Sequence, residues 1–114
     1  MNTTAPFSPS ITKEGFVFTS GQVYLKEGKL IEGSIEDKTH QVMDNLKGVL
    51  EKAGVSFKDV IKTTIYTTDM SIYGKINEVY GSYFSESYPA RETVCVKELP
   101  LGAVLEISMI AYKS

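Results

Sequence analysis

Residues 34–54, SIEDKTHQVMDNLKGVLEKAG, constrain the fold more than any other stretch. Ser34 with Asp37 three places on is a capping-box arrangement, and Gly54 stands where a helix stops. Ile35, Val42, Leu46, Val49, Leu50 and Ala53 fall on one face at helical spacing, with Asp44, Lys47 and Glu51 on the other. A helix with a single apolar stripe has to bury it against another layer. Residues 71–87, SIYGKINEVYGSYFSES, predict a second such helix: Ile72, Tyr73, Ile76, Val79, Tyr80, Tyr83 and Phe84 recur three and four apart. Asp69 or Ser71 would cap it, while Gly74 and Gly81 weaken it.

The rest of the chain is β-rich. FVFTSGQVYL, from Phe16, reads as a strand, and KEGKL turns it back into Leu30 and Ile31 as a hairpin. DVIKTTIYTTD, residues 59–69, is too short and too β-branched for a helix and predicts a strand. Pro89 forbids helix and opens the strand ARETVCVKEL; Pro100 and Gly102 make a turn into a final strand, AVLEISMIAYK. The order is hairpin, helix, strand, helix, strand, strand. It predicts an α+β layer pair, one mixed sheet with both helices on one face and a strand pair at the end. No third helix covers the other face, and a homo-oligomer would do so.

A length of 114 residues fits one domain, 1–114, and 42% hydrophobic with 23% charged residues is ordinary globular composition. A net charge of −2 argues against nucleic acid as a partner, because phosphate affinity needs Lys and Arg in excess on one face. No apolar run approaches the roughly 20 residues of a membrane span. MNTTAPFSPS lacks the basic and apolar regions of a secretory signal, so the expected location is cytoplasmic. Cys95 is the only cysteine and His40 the only histidine, which excludes an internal disulfide and leaves no spaced zinc set. SGQ, residues 20–22, is no nucleotide fingerprint, and no cofactor is expected.

His40 reads as a solvated surface residue and Cys95, inside a predicted strand, as a buried inert thiol. The tyrosines of the second helix read as core and subunit contacts rather than a base-stacking platform. Arg91 and Glu106 leave two readings open. Glu106 lies in an almost wholly apolar strand, where a carboxylate is costly unless paired or placed in a wet cleft. Either the two residues, on strands that could be neighbours, form a structural ion pair, or Arg91 forks a substrate carboxylate while Glu106 handles a water or a proton.

Five motifs in register then point further. TSGQ at 19–22, KTTIYTTDM at 62–70, INEVYGSYF at 76–84, PARETV at 89–94 and LEISMIA at 105–111 resemble the RidA/YjgF family of reactive-intermediate (enamine/imine) deaminases, from Phe16 to Ala111. The resemblance implies a chorismate-mutase-like fold and a homotrimer with three clefts between subunits. It implies that Arg91 binds the carboxylate of a 2-imino acid and that Glu106 serves the hydrolytic water. It also brings Gly21, Thr93 and Asn77 into the binding site. The implied reaction is hydrolysis of 2-iminobutanoate or 2-iminopropanoate to the 2-keto acid and ammonia, with no cofactor. Many members carry Gly-Pro-Tyr-Ser-Gln after a longer N-terminal segment, the tyrosine entering the cleft; here APFSPS places Phe7 for the tyrosine and Pro9 for the glutamine. LPLGA, residues 99–103, lacks the charged pair that commonly precedes the last strand. The alternatives are a non-catalytic trimer that binds small carboxylates or 2-keto acids, and the translation-inhibitor, ribonuclease or holdase roles described for family members.

Overall fold

The computed structural model describes residues 5–114; the N-terminal reading lies in part, at residues 1–4, outside them. Five strands form one mixed sheet: β1 (Ser10–Lys13), β2 (Phe16–Thr19), β5 (Val60–Thr67), β6 (Ala90–Cys95) and β7 (Leu105–Tyr112), in the order β1-β2-β7-β5-β6. Only β5 and β6 run parallel, joined by a crossover through helix α2 (Tyr73–Gly81). β3 (Leu25–Lys26) and β4 (Lys29–Leu30) make a separate two-stranded ribbon ahead of helix α1 (Ile35–Lys52).

The α1 stop signals act as read. Asp37 N–H donates to Ser34 Oγ at 3.0 Å and Ser34 N–H to Asp37 Oδ2 at 3.3 Å, so two orphan donors of the helix start are met reciprocally. Gly54, at φ +85°, turns the chain out after Ala53. Ser34→Ala should cost about 1 kcal/mol, seen as a fall of a few degrees in thermal midpoint; an unchanged midpoint would show the box idle.

Alternation along β7 decides which side is core. Leu105, Ile107, Met109 and Ala111 are buried in the same apolar cluster as Val42, Met43, Leu46 and Leu50 of α1. Burying each such large side chain is worth about 1.5–3 kcal/mol, which anchors the helix to the sheet. The opposite face carries Ile11, Phe16, Phe18 and Tyr112, all exposed, with the Phe16 and Tyr112 rings edge-on at 4.9 Å. Both helices therefore lie on one face and the other is bare in the single chain.

Three expectations are corrected. The first hairpin is not 16–25 against 30–31: β2 stops at Thr19 and pairs with β1 and β7, while KEGKL makes only the small β3–β4 turn through Glu27 and Gly28 at positive φ. The ladder from β2 to β7 gains one residue between Phe18, opposite Ile110, and Gln22, opposite Ile107; Thr19 Oγ1 takes the Met109 N–H at 2.9 Å. That extra residue is a bulge, and it bends the strand away. The second helix runs only from Tyr73 to Gly81, after a tight turn at Met70–Ile72 capped by Asp69, because Gly81 and the serines beyond it do not sustain it. The last two strands are not a pair, since β5 lies between β6 and β7.

Candidate active site

β6 pairs with β5 in the register Thr63 to Arg91 and Ile65 to Thr93, and Thr63 and Ile65 are buried under the helices. Arg91 and Thr93 therefore face the helix layer, at a sheet edge. There the Arg91 guanidinium sits between two tyrosine rings of α2, its Cζ 5.5 Å from the Tyr73 centroid and 5.2 Å from that of Tyr80. Arg91 Nη2–H donates to the Tyr73 hydroxyl at 3.1 Å. Tyr80 is fixed from below, donating to Thr63 Oγ1 at 2.9 Å, and burial pushes its phenol pKa up. Tyr73, Asn77 and Tyr80 share one stripe of α2 by their spacing of four and three, so Asn77 lies on the face that carries the Arg91 contacts. Asn77 Oδ1 and Thr93 Oγ1 are both buried without a hydrogen-bond partner among the described residues.

A second cluster forms on the other face. Glu106 lies opposite Tyr66 on β5 and, by alternation, points away from the helices. Its carboxylate lies against the backbone of Gly21: a Cβ placed on Gly21 would stand 2.6 Å from Glu106 Cδ and 2.9 Å from Cγ. The bulge after Phe18 brings the two together. Burial raises the pKa of Glu106, and among the described residues no hydrogen bond compensates it. Phe7, 62% exposed, stands on a segment pinned to Ser20, whose N–H donates to Pro9 O at 2.9 Å and whose Oγ donates to Ser8 O at 2.5 Å. Gly21→Ala should push the Glu106 side chain aside while leaving the core untouched. The expected signature is a large loss of whatever chemistry Glu106 performs at a thermal midpoint within a few degrees of wild type, and retained activity would show that Glu106 can move freely.

Of the six residues picked from the sequence, Arg91, Thr93 and Asn77 lie on the helix side and Glu106, with Gly21 against it, on the bare side, while Phe7 stands exposed on the segment ahead of β1. Within one chain the groups do not meet. The structural ion pair of Arg91 with Glu106 is overturned, because their strands are separated by β5 and they point to opposite faces; among the described residues the ion pair is Lys62 with Glu92 at 3.6 Å, on the surface. Cys95 is exposed rather than buried, at the end of the edge strand. His40 is exposed as expected but has a partner, its Nδ1 lying 2.7 Å from the Tyr83 hydroxyl. Tyr73 is no core residue: it is 40% exposed and holds Arg91. The sequence signal for that role was present, two tyrosines seven apart on the helix that precedes the arginine, but amphipathic spacing absorbed it into the core.

The fold and the two clusters define a class of small α+β protein, a helix-backed mixed sheet presenting an aromatic-bracketed arginine on one side and a half-buried glutamate on the other. The sequence matches the family described as Endoribonuclease L-PSP over residues 1–113. A RutC family protein of Pyrococcus horikoshii is 47% identical over 110 residues, covering 95% of this chain and 87% of the relative. The 2-iminobutanoate/2-iminopropanoate deaminase of Mus musculus is 38% identical over 108 residues, covering 93% and 80%. Among solved structures, a protein of Thermotoga maritima superposes with TM-score 0.94 at 41% identity, covering 98% of this chain and 90% of that one. E. coli TdcF with bound serine superposes with TM-score 0.91 at 36% identity, covering 96% and 90%. The chain belongs to the RidA/YjgF family. No helix among the described residues is long and apolar enough to cross a membrane.

Proposed function

We propose that this chain is a 2-iminobutanoate/2-iminopropanoate deaminase that works as a homotrimer, with each cleft built from the Arg91 side of one subunit and the Glu106 side of the next. The observation that carries the reading is an Arg91 held between two tyrosine rings on the helix side, with no ion-pair partner among the described residues, and a half-buried Glu106 on the opposite face. A second copy is what would bring the halves together, and the bare face with Phe16, Phe18 and Tyr112 is an apolar surface suited to it. The deaminase named in mouse and the serine bound to E. coli TdcF support a small carboxylate as the ligand.

In this reading Arg91 holds the substrate carboxylate through charge-assisted hydrogen bonds, and the backbone at Gly21 walls the cleft where Glu106 stands. Imines are electrophiles that already hydrolyse in water, so orientation and one proton carrier are enough. Glu106 takes a proton from a water as its oxygen attacks C2 of the C=N bond, and returns one to the nitrogen. A second proton reaches the amino nitrogen of the resulting carbinolamine, its C–N bond breaks as the hydroxyl passes its proton to the Glu106 carboxylate, and 2-keto acid and ammonia are released. A carboxyl pKa raised by burial makes the ionised group a stronger proton acceptor than an ordinary carboxylate, which suits the first half of that exchange.

The test couples the protein to a PLP-dependent threonine dehydratase that makes the imine in situ, and follows 2-keto acid formation. Acceleration over the dehydratase alone supports the deaminase. The serine bound to E. coli TdcF supports a second reading as well, a trimeric sensor of small carboxylates. That reading predicts 2-keto acid binding by calorimetry with no acceleration in the coupled assay.

A further inference from the structure

We propose that Tyr73 sets the aim of Arg91 and supplies its own hydroxyl as a third donor to the carboxylate held there; this rests on the carboxylate-binding reading above. Two observations separate Tyr73 from a packing residue. Tyr80 does the packing: it is 4% exposed and its hydroxyl is tied to Thr63. Tyr73 is 40% exposed, so its ring covers little core, and its hydroxyl meets the guanidinium.

The hydrogen-bond inventory gives the rest. A phenol has one O–H to donate and lone pairs to accept with. The Tyr73 oxygen accepts from Arg91 Nη2 at 3.1 Å, which leaves its O–H unused, and among the described residues nothing accepts it. The guanidinium has five N–H donors, one of them on Tyr73, so an edge of the fork remains for a carboxylate. A hydroxyl that accepts from a cation is polarised into a better donor. A carboxylate seated on Arg91 therefore finds a third donor beside the fork.

Aiming is the second contribution. A free arginine side chain samples many rotamers, and each must be given up on binding. The Tyr73 and Tyr80 rings bracket the guanidinium at 5.5 and 5.2 Å and confine it before any ligand arrives. The ligand class this favours is a small planar 2-imino or 2-keto acid whose carboxylate lies flat in the fork.

The experiment compares wild type, Tyr73→Phe, Tyr73→Leu, Arg91→Ala and the Arg91→Ala/Tyr73→Phe double variant. Kinetics in the coupled assay and calorimetric binding of 2-oxobutanoate are both measured, with thermal midpoints. Tyr73→Phe keeps the ring and should raise KM and the 2-oxobutanoate Kd about tenfold, the worth of one charge-assisted hydrogen bond, with kcat within about twofold and the midpoint nearly unchanged. Tyr73→Leu should be weaker still, because it loses the bracket as well. In the Arg91→Ala background the Phe change should do little more, since the two act on one ligand group. Unchanged KM and Kd in Tyr73→Phe, or a lower midpoint with unchanged affinity, would make Tyr73 structural and overturn the proposal while the deaminase stands. A wild type that binds 2-oxobutanoate without turnover, with Tyr73→Phe binding it more weakly, would sink the deaminase and support Tyr73. A wild type that binds no 2-keto acid would overturn both.

Discussion

Arg91→Ala is expected to lower kcat/KM for the imine by at least about a hundredfold and to remove measurable binding of 2-oxobutanoate. Truncating one partner of a desolvated charge pair costs roughly 2–5 kcal/mol, and each 1.4 kcal/mol is a tenfold change. The fold should survive it. Arg91 sits on an edge strand and makes no ion pair among the described residues; what it loses on truncation is one exposed hydrogen bond to the Tyr73 hydroxyl and its contact with the Tyr73 and Tyr80 rings, about 0.5–1 kcal/mol per ring at a partly exposed site. A midpoint within a few degrees of wild type, together with lost binding, places the residue on a ligand. Arg91→Lys should recover little, because an ammonium cannot present a planar fork between two rings. An unfolded Arg91→Ala, or one that turns over normally, would refute the assignment.

The helical half of the fold was legible because its signals are local. Ser34, Asp37 and Gly54 mark their boundaries through contacts within four residues, and the structure shows those contacts. The β half was only partly legible, because pairing is decided far away in sequence. SITK at 10–13 carries one apolar residue and follows Pro9, so nothing local marks it as an edge strand; its place comes from pairing with β2. FVFTSGQVYL has the composition of a long strand, but the one-residue bulge that breaks it is set by β7, 90 residues on where Met109 N–H meets Thr19 Oγ1. The site behaved the same way. Arg91 and Glu106 could be picked as chemically odd residues in their strands, and the family resemblance grouped them with Gly21, Thr93, Asn77 and Phe7. Which face each presents depended on the insertion of β5 between β6 and β7, which no motif encodes. Tyr73 was hidden for a different reason: a tyrosine on an amphipathic helix reads the same whether its hydroxyl points to solvent or to an arginine.

Glu106→Gln is expected to lower kcat by about a hundredfold or more while KM moves only a few-fold, because general acid–base catalysis typically contributes 10²–10⁴ and the carboxylate of the substrate is held elsewhere. The amide keeps the shape beside Gly21 and loses the charge and the ability to take up and return a proton. The pH dependence follows from the raised pKa. In wild type the kcat profile should rise with pH through a carboxyl titration displaced above the ordinary value of 4.5, as the base form appears, and Glu106→Gln should lack that limb. Stability carries the opposite sign. The folded chain binds the Glu106 proton more tightly than the unfolded chain does, so between the ordinary pKa and the raised one the native state holds more protons, and stability falls as pH rises. Below the ordinary value the contribution is fully present; above the folded value it is gone. Glu106→Gln cannot ionise, so its midpoint relative to wild type should climb with pH across that window and then level off. A residue that loses turnover and gains stability on the same substitution is held in its cleft for chemistry rather than for folding. An unchanged rate with the same stability gain would instead leave Glu106 a buried acid without a task, and would move the proton transfer to water.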